Sequence, residues 1–546
     1  MFDYLLTALP TAIALLMPVG NDLLSAHVHI PISQFQSGAP VPPFAVTAIA
    51  PPQNIRMPRS TPQTIGQNSE LPQSFTKMNP TQNAEVSSLK EHSAICPVQR
   101  HEQLTLMTEM NTYLQAHYET GRFMGTAIVA CGGKTVFVKG YGMASLEHQV
   151  PNVVQTKFRI GSITKQFTAA AILQLQDQGL LDVQASVATY LPDYPNGDTA
   201  EATLRDRITI HHLLTHTAGI PNLTSFPDYL EWMRQPTTLG ELVAHFQDLP
   251  LEFEPGQQYR YSNSGYVLLT QVIETVSGQS YADYLQKHLL LPLGLENTGY
   301  EQPLSVIDGL ANGYRFMGED YQQAEYINMA VPAGAGALYS TVDDLVRWQQ
   351  FLMSADERPA GILSNAAITA MKTPHVAMGE AAPDLSYGYG LVVGKPNVIS
   401  HGGGINGFVT YLGSLPDRGL TVAVLSNVEN ANPQDIGEGL LAILQGQPYE
   451  LPSTEAAVAI DLGVLQRYIG TYQVTPEFQV TITVESEQLH IQGTGQPKIP
   501  LYPASTTEFF ARMLEFRIVF NTDPDGTVES ATLLQNGQEL PAPKVD

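Results

Sequence analysis

Ser162 and Lys165 stand three positions apart in Gly161-Ser162-Ile163-Thr164-Lys165, where a stretch with helical apolar spacing begins. Residues at i and i+3 share one face of a helix. A hydroxyl at a helix start lies beside unpaired N–H groups and the positive end of the helix dipole. A lysine held there and partly desolvated can give up its proton and act as base toward the serine. S-x-x-K also recurs by chance, and an N-capping serine beside a surface lysine satisfies the same pattern. A second group, Tyr261-Ser262-Asn263, follows a Pro255-Gly256 turn. A phenol there can relay a proton, and an amide two residues on can bind a substrate amide. A turn tyrosine with a helix-capping asparagine is the alternative. In a third group, a strand pattern from Val398 runs into His401-Gly402-Gly403-Gly404. Small residues there let backbone N–H groups be approached closely, as an oxyanion hole requires.

Other chemistries fit these residues less well. Gly402, Gly404 and Gly407 match G-x-G-x-x-G, but that fingerprint must open a helix, and Phe408–Leu415 reads as a strand. His212 and His216 lie at i and i+4 and could share an ion. However, Leu213 stands where H-E-x-x-H needs its glutamate, and no third ligand is evident. His211, His212 and His216 are therefore read as packing or helix-end residues, and neither a metal nor an organic cofactor is expected. A G-x-S-x-G nucleophile elbow fails because Ile160 sits two residues before Ser162.

The elements that must position these groups follow from periodicity. Ile163, Phe167, Ala171 and Leu175 predict a helix over Ile163–Gln178, stopped by Gly179. Leu104–Thr120 is helical, and Phe123–Ala130 and Thr135–Gly140 form strands around Gly132-Gly133. A loop-rich middle carries short helices at Ile210–His216, Leu239–Phe246 and Tyr266–Val276, and Thr341–Met353 is helical. Tyr387–Val393, Val398–His401, Phe408–Leu415 and Leu420–Ser426 read as strands, and Gln434–Leu444 as a closing helix. Beyond Pro452, short strands at Tyr472–Val474, Phe478–Glu485, Gln488–Gln492, Glu508–Phe510, Phe516–Phe520 and Thr527–Leu534 have no helix between them. They predict a small separate β-barrel or sandwich.

Composition narrows the partners. Among 546 residues, 27 Lys+Arg stand against 52 Asp+Glu, for a net charge of -25. That field repels nucleic acid and anionic lipid, so no nucleic-acid role is expected. Two cysteines, Cys96 and Cys131, exclude a disulfide scaffold and a four-cysteine zinc site. If the chain is exported they could pair and pin the linker to the following domain; two thiols is the alternative. No apolar run is long enough for a conventional membrane span. The apolar Tyr4–Val19, with Leu24-Ser25-Ala26 as a cleavage site that fits only in part, reads as a signal peptide over 1–26, implying a periplasmic or secreted protein. A buried apolar segment or a misjudged start, with a cytoplasmic protein, is the alternative. Residues 27–100, rich in Pro, Gln, Ser and Thr, read as a disordered linker; residues 101–450 and 460–546 read as the two folded units.

S-x-x-K, then Y-x-N about 100 residues on, then H-x-G about 140 residues further, follow the order of the serine β-lactamase and penicillin-binding superfamily. Phe158-Arg159-Ile160-Gly161-Ser162, the Thr209–Gly219 stretch, and Pro332–Leu338 ahead of Ser340-Thr341-Val342-Asp343-Asp344-Leu345 look equally familiar. The region Glu102–Gly446 thus resembles the β-lactamase-related serine hydrolases, nearest to class C β-lactamases, DD-peptidases, D-aminopeptidases and esterases of that fold. The segment from about Leu465 resembles the lipocalin-like barrel appended to some of them. The resemblance implies an α/β (α+β) fold: an antiparallel sheet flanked by helices, a helical lobe, and the site between them. It implies Ser162 as the acylated nucleophile, Lys165 as its base, Tyr261 as the proton shuttle to the leaving group, and Asn263 as the holder of the substrate amide. The backbone N–H groups of Ser162 and Gly404 would form the oxyanion hole, and His401 and Gly403 would lie along the substrate.

One departure stands out. His401 occupies the place where β-lactamases and carboxypeptidases usually carry the lysine of K-T-G. Histidine is mostly neutral near pH 7, which favours small esters or amides over carboxylate-bearing peptides. If His401 faces the substrate and titrates, carboxylate-bearing substrates should gain as pH falls from about 8 toward about 6. The expected function is a serine hydrolase acting through an acyl-enzyme on a small ester, amide or peptide. A D-alanyl-D-alanine carboxypeptidase or penicillin-binding protein is the alternative. A non-catalytic binding protein on the same scaffold would be expected to lose the serine, the lysine or the tyrosine, and all are present. The number of subunits is not set by the sequence.

Overall fold

The computed structural model describes residues 100–546 except 195–206, 354–358, 360, 381, 396, 453–456, 477, 497, 515, 524 and 536–537. The expected signal peptide, Cys96, and the linker up to residue 99 lie outside the described residues. Helix α1 (Arg100–Glu119) leads into strands β1 (Gly125–Cys131) and β2 (Lys134–Tyr141). Helix α2 (Thr164–Asp177) follows a 3-10 turn at Gly161–Ile163, and α3 (Asn263–Ser277) belongs to the helical lobe. Then come α4 (Val342–Met353), β3 (Val376–Ala377), β4 (Leu385–Tyr387), β5 (Val392–Gly394), β6 (Val398–Ile405), β7 (Phe408–Leu415), β8 (Leu420–Ser426) and α5 (Pro433–Leu444). The strands make an antiparallel sheet in the order β3-β4-β5-β6-β7-β8-β1-β2.

The pairing Gly125↔Ser426 through Cys131↔Leu420 joins the two ends of the domain in the middle of the sheet. Alternation along these strands divides their side chains between two cores. Ile128, Ala130, Ala423 and Leu425 join Phe167, Leu268 and Trp348 on the helical-lobe side. Ala127, Val129, Val422 and Val424 join Met110, Leu114, Ile436 and Leu440 of α1 and α5 on the other. With both faces covered, β1 is buried along its whole length, which is why its sequence lacks a polar alternation.

Three-stranded pairing of Phe158–Arg159 and Gly299–Tyr300 with Leu338–Ser340 fixes the approach to α2. Arg159 forks onto both oxygens of Glu301, Nε to Oε2 at 2.8 Å and Nη2 to Oε1 at 2.7 Å. This bidentate pair is largely buried, a geometry in which both charges are satisfied by each other.

Two expectations change. The run Tyr387–Val393 is not one strand: it folds back between β4 and β5, with the Gly388 N–H on Leu391 O at 2.8 Å and Tyr389 N–H on Met371 O at 3.0 Å. The strand at His401 does not stop before the glycines but continues to Ile405, because Gly402–Ile405 pair in register with Tyr411–Phe408 of β7.

After α5 the chain forms β9 (Gly470–Thr475), β10 (Phe478–Glu485), β11 (Gln488–Gly493), β12 (Lys498–Pro503), β13 (Glu508–Phe510), β14 (Arg517–Thr522), β15 (Val528–Gln535) and β16 (Gln538–Pro543). They pair in sequence order, and a bridge between Tyr472 and Lys544 brings the two edges together, so the barrel is nearly closed. Strands β12 and β16 escape the sequence pattern because Pro500, Pro503, Pro541 and Pro543 interrupt it. The barrel has its own core of Tyr472, Val480, Ile482, Leu501, Phe509, Ile518 and Phe520. It touches the hydrolase domain through Asn430 Nδ2 on Met513 O at 3.1 Å and the pair Arg512–Glu319 at 3.2 Å. Truncation after residue 452 is therefore expected to leave a folded hydrolase domain, checked by circular dichroism and a thermal midpoint within a few degrees of the full chain. Loss of all soluble product would instead make the barrel part of the hydrolase core.

Candidate active site

The Gly161–Ile163 turn is fastened on two sides before α2 begins. The Ile160 N–H bonds Leu338 O at 2.9 Å, and the Ile160 carbonyl accepts Thr410 Oγ1 of β7 at 3.0 Å. Gly161 has φ +50, and a Cβ there would lie 2.7 Å from Gly404 N. A side chain is thus excluded both by backbone conformation and by the strand. Gly403 is excluded by space alone, since its Cβ would fall 2.0 Å from Ile160 O and 2.3 Å from Thr410 Oγ1. The two glycines let β6 press directly against the turn that carries Ser162. Ser162 itself lies in the 3-10 turn, one residue pair ahead of the α-helix rather than in its first turn.

Lys165, in the first turn of α2, is fully buried. Its Nζ donates to Ser162 Oγ at 3.1 Å, Asn263 Oδ1 at 2.8 Å and Ala335 O at 2.9 Å. Tyr261 donates its hydroxyl to the same Ser162 Oγ at 2.8 Å, and the Lys165 ammonium lies 4.7 Å from the centre of the Tyr261 ring. Asn263 opens α3; its N–H bonds Asn222 Oδ1 at 2.9 Å and its Nδ2 bonds Thr224 Oγ1 at 3.2 Å. The structure thus brings Ser162, Lys165, Tyr261 and Asn263 together, with Gly403 and Gly404 alongside.

His401 lies behind this cluster, with 1% of its surface exposed. Its Nδ1 contacts Gly402 O at 2.6 Å and its Nε2 contacts Tyr387 OH at 3.0 Å. A carbonyl can only accept, so Nδ1 carries the hydrogen and Nε2 accepts from the phenol. Burial, helped by the nearby Lys165 charge, pushes its pKa down to about 3. The expected titration between pH 8 and 6 is corrected accordingly: the ring stays neutral throughout that range because it is sealed from water.

His211, His212 and His216 turn toward different partners. His211 Nδ1 contacts Tyr389 OH at 2.8 Å, His212 Nδ1 accepts from Thr209 N–H at 3.2 Å, and His216 Nδ1 accepts from Ser262 N–H at 3.2 Å. Among the described residues no cluster of three or more His, Cys, Asp or Glu side chains is placed to hold a metal ion. Sequence reasoning missed Asn222, Thr224, Ala335 and Tyr387, and gave His216 only a packing role. No local pattern marks them, because each meets the cluster only through the tertiary fold. Cys131 ends β1 as a disulfide-bonded residue, and its expected partner Cys96 lies outside the described residues.

An antiparallel sheet with a helical lobe, and a cluster at their junction, define the β-lactamase type of serine-hydrolase fold. Comparison with known proteins places the chain: the family described as Beta-lactamase matches residues 110–447, and the chain belongs to it. That family of serine hydrolases includes penicillin-binding proteins, D-amino acid amidases and esterases. A domain of unknown function, DUF3471, matches residues 455–542. Penicillin-binding protein 4* of Bacillus subtilis (strain 168) is 30% identical over 456 residues, covering 78% of this chain and 97% of that protein. The octameric penicillin-binding protein homologue from Pyrococcus abyssi is similar over 80% of this chain and 99% of its own, at 26% identity and TM-score 0.55. A D-stereospecific amidohydrolase from Streptomyces sp. covers 63% of this chain and 99% of its own, at 26% identity and TM-score 0.52. Among the described residues no helix is long and apolar enough to cross a membrane.

Two outcomes follow from this packing. Gly403→Ala forces a methyl into a backbone carbonyl that cannot swing away, and is expected to cost about 2–3 kcal/mol in urea unfolding. Gly402→Ala, whose Cβ would meet nothing nearer than Thr410 O at 3.7 Å, is the control and should cost less than about 1 kcal/mol. The second concerns acid. His401 and His216 are held neutral by burial, whereas in the unfolded chain each takes a proton near pH 6.5. The unfolded state therefore binds more protons below that pH. Stability contributed by the neutral rings is full above about pH 6.5 and falls by about 1.4 kcal/mol per pH unit per ring as pH drops toward 4. Urea midpoints measured from pH 8 to 5 should be level at first and then decline; a midpoint unchanged down to pH 5 would contradict this.

Proposed function

We propose that the protein is a serine hydrolase that forms an acyl-enzyme at Ser162 with a small ester or amide. The observation that carries the reading is the convergence of Lys165 Nζ and Tyr261 OH on one hydroxyl oxygen, at 3.1 and 2.8 Å. When the Lys165 amine is unprotonated, it is the base within reach of the Ser162 proton. Oγ then bonds to the acyl carbon, and the carbonyl oxygen becomes an oxyanion facing the backbone N–H groups of Ser162 and Gly404. Collapse breaks the bond to the leaving group, which takes its proton from Tyr261, and the Lys165 ammonium returns the serine proton to the phenolate, so that both groups are reset. Water repeats the sequence on the acyl-enzyme and restores Ser162. Asn263, already bonded to Lys165, holds the amide side of the substrate.

Support for a neutral substrate comes from His401. The position carries an imidazole that is buried and uncharged, so it offers no cation to a substrate carboxylate. The second reading, a D-alanyl-D-alanine carboxypeptidase or other penicillin-binding protein, is favoured by the name of the Bacillus relative. Nitrocefin, p-nitrophenyl esters, D-amino-acid amides and a D-alanyl-D-alanine peptide separate the readings. Ester or amide turnover should exceed turnover of the carboxylate-bearing peptide; the reverse order supports the second reading. Ser162→Ala should abolish turnover, and Lys165→Ala should lower kcat/KM by roughly a thousandfold or more, because members of such a unit fail together. Full activity in either variant would sink the assignment.

A further inference from the structure

We infer that His216 is a positioning residue for Tyr261, clamping the irregular segment that carries the phenol so that its oxygen stays against Ser162. This rests on the reading above, in which the Tyr261 hydroxyl moves the proton.

Tyr261 has neither helix nor strand to hold it: residues 257–262 precede α3 without regular structure. What holds them is His216, on both sides. Its carbonyl accepts the Arg260 N–H at 2.9 Å, and its ring Nδ1 accepts the Ser262 N–H at 3.2 Å. Between these two bonds its ring lies on the Tyr261 ring, with centroids 4.2 Å apart and planes 37° from each other. Three contacts from one residue therefore bracket one side chain, before, on and after it.

The backbone shows that this arrangement is imposed. His216 has φ +58, a left-handed conformation that a non-glycine residue adopts at a cost. With Nδ1 accepting, Nε2 carries the hydrogen, and that buried N–H has no partner among the described residues. Strain and an unmet donor at one position are what a fold retains where the geometry serves something beyond packing.

The residue type also fits the task. Phenylalanine would stack but could not accept the Ser262 N–H; asparagine could accept it and tolerates the left-handed region but has no ring. An imidazole does both, provided it stays uncharged. The groups facing it are Lys165, His401, Tyr259, Tyr261, Tyr266 and Tyr387. Burial first, then the Lys165 charge, holds it well below the ordinary histidine range, so no second cation competes beside Lys165.

The test is the rate at which a phenyl ester, whose phenolate leaving group takes up a proton, acylates the full-length protein, split into its maximal rate and its half-saturating concentration. His216→Ala should lower the maximal rate roughly a hundredfold, the scale of a misplacement near 1 Å, with the half-saturating concentration changed less than about threefold. His216→Asn, which keeps the acceptor, should recover about tenfold of that loss and guards against a variant that fails to fold. In a Tyr261→Phe background, His216→Ala should change the rate less than about threefold, because the group it positions is gone. Equal losses in both backgrounds would reduce His216 to a structural residue and overturn the inference alone. A Tyr261→Phe protein that is acylated by this ester at the wild-type rate would overturn the underlying reading, and this inference with it.

Discussion

A lysine ammonium with no access to water constrains everything around it. Burying such a charge is costly unless its donors are met, and Lys165 has three hydrogens to place. They go to Ser162, Asn263 and Ala335. Only the first is local; the others arrive from 98 and 170 residues away in sequence. The start of α2, the start of α3 and the Ala333–Gly336 turn must therefore meet at one point. Tyr261 joins them because it lies two residues before α3's first residue and its segment is clamped by His216.

The sheet supplies the remaining wall. Strand β6 can approach the serine turn only because it is bare of side chains at Gly403, where Ile160 O occupies the place a Cβ would take. Its far end is secured from below. Glu429 accepts the Gly407 N–H at 2.9 Å and pairs with Arg315, while Asn430 bonds both backbone groups of Phe316 and the Met513 carbonyl of the barrel. One short loop after β8 thus links the turn between β6 and β7, the hairpin at 314–323 and the C-terminal barrel.

Much of the fold was legible because its strands alternate or run apolar between clear turns: β7, β8, β10 and β13 fall where the pattern puts them. The pattern failed where backbone contacts rather than side-chain period decide the path, as in the reversal between β4 and β5, and where proline masks a strand, as in β12 and β16. In the cluster, Ser162, Lys165, Tyr261 and Asn263 could be picked out by type and spacing. Their partners Asn222, Thr224, Ala335 and His216 could not, since a carbonyl, a capping amide or a stacked ring carries no signature until the chain is folded. The charge state of His401 was likewise out of reach. It follows from burial and from the neighbouring Lys165 charge, neither of which has a sequence signal.

In the proposed reaction one hydroxyl, activated by a buried lysine and a tyrosine, takes the acyl group. Peptide mass mapping of the protein after reaction with a β-lactam or fluorophosphonate reads that atom directly. A single adduct is expected on the peptide bearing Ser162, absent from Ser162→Ala protein that keeps its native circular dichroism. An adduct on any other residue, or labelling that survives the loss of Ser162, would contradict it.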